Sequence, residues 1–187
     1  VGRAAFPCSL LSTLNVTYVL AACGSGGEVA LAEIAEGVTA SLAITNRQAS
    51  WSAADTAIKS VQGRLNGTAW FVQDARKVDR LLVSAQTSAG LALYWVATNA
   101  AGVTVVPDAI VDLTRDQAHV RFDNVQALEL TGSGLAALQQ AMPAIWTLLA
   151  ADITGAAEWQ LQTTVAYVGT RQQFDHPLGY FQAVKHP

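Results

Sequence analysis

The chain has 187 residues, which is enough for one large domain or two small ones with a packed core. Its formal net charge of −3 excludes the basic surface that is typical of nucleic-acid-binding proteins. Apolar residues make up 51% of the chain and charged residues 13%, so it buries too much apolar surface to be disordered. A surface so poor in charge predicts contacts with partner subunits.

The amino-terminal region, up to residue 37, predicts two helices. A glycine-rich break at residues 24–27 separates them. The second helix, residues 28–36, precedes Gly37, and glycine is typical directly after a helix.

Residues 4–27 carry no charge and contain a Leu-Ala-Ala-Cys sequence that imitates a lipoprotein cleavage site. Hydroxyl and amide side chains interrupt this stretch, which favours a buried helix over a leader or a membrane span. We therefore expect no membrane association. Cys8 and Cys23 would lie too far apart on one helix to form a disulfide, which favours a reducing, cytoplasmic compartment.

The middle region, residues 38–131, has a strand composition. Short runs of β-branched, aromatic and leucine residues lie between turn residues. They predict strands at 80–87, 91–98, 103–107 and 118–123, and the short connections favour an antiparallel sheet.

Two further local patterns occur in this middle region. Asn66-Gly67 between apolar flanks predicts a hairpin turn. The charged residues between Asp74 and Arg80 predict a solvated loop.

From residue 134 the apolar spacing becomes helical. One long helix is predicted to about residue 171, with Pro143 as a candidate kink. The predicted core-facing stripe is Leu135, Leu138, Met142, Ile145 and Leu149. Residues 176–179 break the helix and another begins near the end, so we expect a fragment of a larger fold.

Residues 170–186 read TRQQFDHPLGYFQAVKH and resemble the acyl-CoA dehydrogenase pattern TRxQFGxPIGxFQAVKH. The LNG sequence at 65–67, followed by Trp70, resembles that family's LNGxKxWIT hairpin. Residues 42–45 lie where the family has the start of ALTEPxAGSD.

This resemblance implies an α+β multidomain fold with three parts. Residues 1–37 would be the end of an amino-terminal helical domain. Residues 38–131 would form a small antiparallel β domain. Residues 132–187 would start a carboxyl-terminal four-helix bundle.

The resemblance also implies FAD as the cofactor. Arg171 matches an arginine that reaches across a subunit interface to the diphosphate of a neighbour's FAD, and a guanidinium suits phosphate oxygens. Gln173 and Phe174 follow as a polar contact and an apolar wall for the flavin. Trp70 matches the tryptophan beside the isoalloxazine ring, and Thr45 belongs to the flavin-contacting segment.

Several positions depart from the family pattern. Val72 replaces a threonine or serine whose hydroxyl would bond the flavin. Ser50 replaces a glycine that permits close approach, and Trp51 replaces a serine that faces phosphate. The chain's own flavin pocket is therefore predicted to be eroded.

No catalytic residue is predicted within the chain. Relatives carry the glutamate base either late in the carboxyl-terminal domain, beyond Pro187, or on the long helix at the position of Ile145. Trp146 follows it where some relatives have arginine, and Glu158 is interpreted as structural. No metal site is predicted, because the histidines lack metal-ligand spacing.

The leading hypothesis is a companion subunit in a heteromeric acyl-CoA dehydrogenase. It would complete a partner's FAD site for α,β-desaturation of an acyl-CoA, as in bacterial members acting on steroid side chains. One alternative is a homotetrameric acyl-CoA dehydrogenase with its glutamate beyond residue 187. Another is a non-catalytic scaffold that binds no flavin.

Overall fold

The computed structural model describes residues 2–50, 52–130 and 134–186. The prediction for Trp51 lies outside these residues. The described chain divides into two units: Pro7–Leu148, and the residues up to Phe6 together with those from Leu149 onward.

Two helices begin the larger unit. Helix α1 is Leu10–Ala22 and α2 is Glu28–Ala35, and a 3₁₀ turn at Gly24–Gly27 joins them. Both predicted helices and their glycine break are confirmed. Cys8 and Cys23 lie at the two ends of α1 and are free thiols.

Eight strands of the described chain form one sheet. All four strands predicted from the composition are present, with ends that differ by at most a few residues. The strands are β1 (Ala40–Ala43), β2 (Lys59–Val61), β3 (Arg64–Gln73), β4 (Arg80–Thr87), β5 (Gly90–Ala97), β6 (Val103–Pro107), β7 (Gln117–Gln126) and β8 (Leu128–Leu130).

The sheet is not purely antiparallel, which corrects the expectation from short connections. The order is β6-β7-β3-β2-β4-β5-β8, and β1 pairs with β4 outside this path. Both β1 and β2 run parallel to β4, while the other pairings are antiparallel. Short connections predict hairpins between neighbouring strands. They do not predict the pairing of β1 and β2 with β4, because β4 is separated from both along the chain.

The hairpin turn predicted at Asn66-Gly67 is wrong, because both residues lie inside β3. The turn is Gln62-Gly63, with φ of 53° and 73°, the left-handed values of a two-residue hairpin. Gly67 instead permits a close approach: its φ is 134°, and a Cβ there would lie 2.6 Å from the carbonyl oxygen of Ala57. The register of β3 against β7 shifts at this point.

The sheet buries apolar side chains on both faces. One face holds a core cluster that includes Leu65, Val83, Tyr94 and Phe122. On β4 and β5 the alternate residues, such as Leu82, Leu93 and Trp95, are buried as well.

Helix α2 is fixed to this sheet by Glu33. Its Oε2 accepts hydrogen bonds from Arg80 Nε at 2.7 Å and from Trp95 Nε1 at 3.1 Å. The hydrogen bond from Arg80 lowers the pKa of Glu33.

The charged segment between β3 and β4 is not simply a solvated loop, contrary to the prediction. Asp74 is 8% exposed and accepts a hydrogen bond from Ser12 Oγ on α1 at 2.6 Å. Arg76 Nε donates to the buried Asp116 at 2.6 Å. These carboxylates hold the loop against its neighbours, since buried carboxylates require such partners.

Helix α3 spans Gly134–Thr170 and passes without interruption through Pro143. The predicted helix is confirmed, but its buried face is rotated: Leu135 is exposed, whereas the buried residues are Gly134, Ala137, Leu138, Ala141 and Ile145. Small residues of α3 lie where this helix comes closest to β5, since a Cβ on Gly134 would lie 3.1 Å from the Leu93 side chain. By length and composition alone α3 could cross a membrane, a property that core helices share.

The chain then breaks, as predicted. Strands β9 (Gln172–Gln173) and β10 (His176–Pro177) form a small hairpin. A 3₁₀ turn at Leu178–Tyr180 leads to helix α4, Gln182–Lys185.

Candidate functional site

The structure brings together Thr45 and Trp70, two of the predicted cofactor-binding residues. Thr45 continues the chain beyond β1 and is 7% exposed. Its carbonyl oxygen accepts the Trp70 amide at 2.9 Å, and its hydroxyl donates to the Trp70 carbonyl. The Thr45 hydroxyl is therefore engaged within the chain.

A bulge in β3 sets the direction of the Trp70 side chain. Ala69 pairs with Val120 and Val72 pairs with Ala118. Between these pairs β3 therefore has one more residue than β7, which defines a bulge. Phe71 takes a φ of 56° and is exposed, while Val72 is 1% exposed in the core cluster. The valine at the position expected to bond flavin thus faces the core.

The Trp70 ring is covered by side chains of the same chain. The imidazole of His119 on β7 stacks on it, with centroids 4.8 Å apart and an interplanar angle of 21°. The guanidinium carbon of Arg47 lies 5.5 Å from the ring centroid, within cation–π range.

Asp108 fixes the His119 imidazole. The Nδ1 atom of His119 lies 2.9 Å from Asp108 Oδ1, and Gln117 Nε2 donates to Asp108 Oδ2 at 3.1 Å. A carboxylate oxygen accepts, so Nδ1 carries the proton in this contact. Sequence reasoning missed this pair, because it predicted the strands at 103–107 and 118–123 but not that they pair with each other.

The loop after Thr45 is stabilised by its own polar groups. Asn46 Oδ1 accepts the amides of Gln48 and Ser50 at 3.0 and 3.1 Å. The Ser50 hydroxyl donates to Asp55 Oδ2 at 2.6 Å. Ser50, at the position where the family has glycine, therefore uses its hydroxyl inside the loop.

An apolar cavity of about 520 Å³ lies in the larger unit, a volume within the usual range of small-molecule sites. Trp146 forms part of its wall and is 58% exposed. Ile145, the position expected for a base in some relatives, is fully buried. The lining residues are Ile44, Ser52, Ala54, Leu135, Leu138, Gln139, Met142 and Trp146, none of which is acidic or basic.

A second, smaller cavity of about 40 Å³ is more polar. Asn15 lines it, and its buried Oδ1 has no hydrogen-bond partner among the described residues. The volume suits water rather than a larger ligand.

The carboxyl-terminal motif forms an exposed hairpin. Phe174 and Asp175 make its turn with φ of 51° and 60°, both left-handed. The amide of Leu178 donates to the Arg171 carbonyl at 2.8 Å, which closes the hairpin onto the end of α3. Among the residues that the structure describes, the exposed Arg171 guanidinium makes no hydrogen bond or ion pair.

Aromatic rings surround this hairpin. Phe174 is 86% exposed and meets Phe181 edge-on at 6.2 Å. His176 stacks on Tyr180 at 4.2 Å. The exposed Gln173 donates only to the neighbouring Gln172 carbonyl, at 2.9 Å. Arg171, Gln173 and Phe174 are therefore brought together and face away from their own unit.

The two groups of predicted residues fit a flavin dinucleotide differently. Arg171 presents unpaired donors, as a diphosphate requires. At the two positions expected to bond the flavin beside Trp70 no hydroxyl is free, because the Thr45 hydroxyl is bonded and Val72 is apolar, and His119 covers the indole. The hairpin fits the cofactor and the Trp70 region does not.

Glu158, which the sequence interpretation treats as structural, makes only surface contacts among the described residues. Its Oε1 accepts from Arg3 at 3.3 Å and from Gln162 at 3.0 Å, on the exposed surface of the smaller unit.

No family model matches the chain. Among curated proteins, it is 31% identical to acyl-CoA dehydrogenase IpdE2 of Mycobacterium tuberculosis over 186 residues, which is 100% of this chain and 47% of that protein. It is 36% identical to acyl-CoA dehydrogenase FadE27 of the same organism over 130 residues, 65% of this chain and 32% of that protein. The chain thus spans less than half the length of these relatives.

Solved structures of acyl-CoA dehydrogenases are also similar to the chain. A variant of the steroid ACAD Tcur3481-Tcur3483 superposes with a TM-score of 0.83 and 28% identity, covering 99% of this chain and 52% of that one. A glutaryl-CoA dehydrogenase from Mycobacterium smegmatis in complex with FADH2 gives a TM-score of 0.75 at 24% identity, covering 97% of this chain and 49% of that one.

Proposed function

We propose, from the premise that this chain belongs to the acyl-CoA dehydrogenase family, that it is a companion subunit completing the FAD site of a second family subunit. One observation carries this proposal: the Arg171 guanidinium is exposed and unpaired among the described residues, on a backbone held at the end of α3 by a closed hairpin. Gln173 and the exposed ring of Phe174 lie on the same hairpin.

Physical chemistry supports a phosphate as the missing partner of Arg171. A guanidinium offers paired donors in a fixed plane, which match two phosphate oxygens. The hairpin orders the backbone beside Arg171, so less conformational entropy is lost on binding. Phe174 adds an apolar surface next to the charge, as a ring system attached to a diphosphate requires.

The reaction needs a carboxylate base, which the described part of the long helix does not offer at the expected position. When bound, the flavin accepts a hydride from the β-carbon of an acyl thioester, while a carboxylate removes the α-proton. Ile145 stands where a helix-borne carboxylate is expected, and no acidic residue lines the nearby cavity. Loss of a general base typically slows a reaction by a factor on the order of 10² to 10⁴. In this proposal the partner subunit supplies the base.

The compared proteins support an FAD-dependent, multi-subunit setting. The steroid ACAD carries a double designation, Tcur3481-Tcur3483, and the glutaryl-CoA dehydrogenase holds FADH2. We extend to this chain FAD as the cofactor, an acyl-CoA as the substrate of the complex and a steroid as the candidate acyl group. We add to the proposal the cytoplasmic location expected from the two cysteines.

Co-expression tests the proposal. The full chain is produced with a catalytic family subunit, and flavin content and acyl-CoA-dependent flavin reduction are measured for the complex and for each chain alone. We expect a yellow, active complex and a colourless chain when this protein is purified by itself.

A second candidate function is a homotetrameric acyl-CoA dehydrogenase, which the apolar cavity of about 520 Å³ favours. It predicts that the full chain alone retains flavin and that an acyl-CoA reduces it. That result would overturn the companion role. A colourless, inactive complex with every family subunit tried would instead support a scaffold that binds no flavin.

A further inference from the structure

We infer that His119, held by Asp108, and Arg47 bar a flavin ring from Trp70, so that among the residues that the structure describes the Arg171 hairpin is the surface left to bind the cofactor. The inference deepens the proposed function, and the part that concerns the Arg171 hairpin rests on that function. The part that concerns Trp70 involves the β-sheet surface alone and is tested without any diphosphate.

The geometry around the indole carries the first step. The His119 imidazole stacks nearly parallel on Trp70 at 4.8 Å, the separation that an added aromatic ring would itself need. A planar ligand using this face must displace the imidazole. Arg47 lies over the same indole at 5.5 Å and is a second obstacle.

The imidazole is not a loose side chain. Asp108 accepts from His119 at 2.9 Å and from Gln117 at 3.1 Å, so displacement of the ring breaks a carboxylate contact as well as a stack. The His119 and Asp108 side chains are 26% and 19% exposed, which limits how well water replaces that contact.

The surroundings offer a flavin little in return. The Thr45 hydroxyl is engaged by the Trp70 carbonyl, and Val72 faces the core. No hydroxyl at these two positions is free to bond a flavin ring edge. Stacking gained by the flavin would therefore only replace stacking lost from His119.

Riboflavin separates the ring from the diphosphate, because it carries the flavin ring but no phosphate. The full chain is titrated into riboflavin, and quenching of flavin fluorescence reports stacking on an indole. The variants are the double substitution His119→Ala with Arg47→Ala, Trp70→Leu alone and combined with that pair, and Arg121→Ala as a control. Arg121 lies on the same strand as His119 and is exposed.

We expect no saturable quenching with the wild-type chain or with Arg121→Ala. The double variant gains saturable quenching, with half-saturation at least about tenfold below the highest riboflavin concentration at which the wild-type chain stays unsaturated, and adding Trp70→Leu abolishes the gain. Circular dichroism verifies that each variant remains folded.

Two results would overturn the inference. Saturable quenching by the wild-type chain that Trp70→Leu removes would show that the indole already accepts a flavin ring. A folded double variant that does not quench riboflavin fluorescence would show that His119 and Arg47 are not the barrier. Neither result touches the companion role of Arg171, which riboflavin does not report.

Discussion

Substitution of Glu33 tests how helix α2 is held on the sheet. The Arg80 and Glu33 side chains are 32% and 29% exposed, so solvent screens their ion pair to about 1 kcal/mol. Trp95 is 5% exposed, and the loss of its acceptor leaves a buried indole N–H, which costs about 1–3 kcal/mol. We expect Glu33→Ala to lower the free energy of unfolding by about 2–4 kcal/mol.

The conservative variant Glu33→Gln keeps one acceptor and should cost about 1 kcal/mol. The hydrogen bond from Arg80 lowers the pKa of Glu33 from its ordinary value of 4.5. Its stabilisation is therefore complete above 4.5 and is lost as the pH falls through the lower folded-state pKa. The difference between wild type and Glu33→Gln should shrink in that acid range.

Urea unfolding followed by circular dichroism measures these differences. Glu36→Ala is the matched control, because Glu36 is an exposed carboxylate at the end of the same helix. If Glu33→Ala unfolds at the same urea concentration as Glu36→Ala, the hydrogen bonds of Glu33 do not hold α2 and the reasoning is refuted.

Three further substitutions test the core and the turns. Ile145→Ala removes a fully buried side chain and should lower the free energy of unfolding by about 2–5 kcal/mol, whereas a cost below about 1 kcal/mol in urea unfolding would contradict its burial. Gly67→Ala places a Cβ 2.6 Å from the Ala57 carbonyl oxygen and should lower the thermal midpoint; an unchanged midpoint would contradict the close approach. Asp175→Gly relieves a φ of 60° and should slow amide exchange in the β9–β10 hairpin, while faster exchange would contradict the strain.

The long helix and the four strands were predictable because they depend on local patterns, whereas the fold class followed from the resemblance to the family. The apolar spacing of α3 and the β-rich runs at β4 and β6 are signals carried by neighbouring residues. The TRQQFDHPLGYFQAVKH motif then indicated the family, which the relatives and the solved structures confirm.

The errors arose where distant backbone decides the local structure. Asn66-Gly67 has the composition of a hairpin turn, yet Gly67 serves a close contact with the Ala57 backbone. Leu135 has the right spacing for the core, but the tight approach of α3 to β5 favours the small residues of that helix. Asp74 belongs to a charge-rich run and is nevertheless buried, because Ser12 on a distant helix bonds it.

The candidate site was predictable only in part. The motif singled out Arg171, Gln173 and Phe174, which the structure places on one exposed hairpin, and the structure also brings the predicted Thr45 and Trp70 into contact. The cluster of His119, Asp108 and Arg47 depends on strand pairing and on a bulge, which spacing along the chain does not encode.

The central claim is that Arg171 binds the diphosphate of a partner's FAD, and the FAD dissociation constant of the complex with a catalytic subunit tests it. Arg171 is exposed, so Arg171→Ala should change the free energy of unfolding by less than about 0.5 kcal/mol. Loss of its charge-assisted hydrogen bonds should weaken FAD binding by about 1.5–3 kcal/mol, or about tenfold to a hundredfold. Lys185→Ala, which removes a positive charge from the same segment, should leave FAD affinity within about twofold of wild type. Equal FAD affinity for the wild-type and Arg171→Ala complexes would contradict the claim.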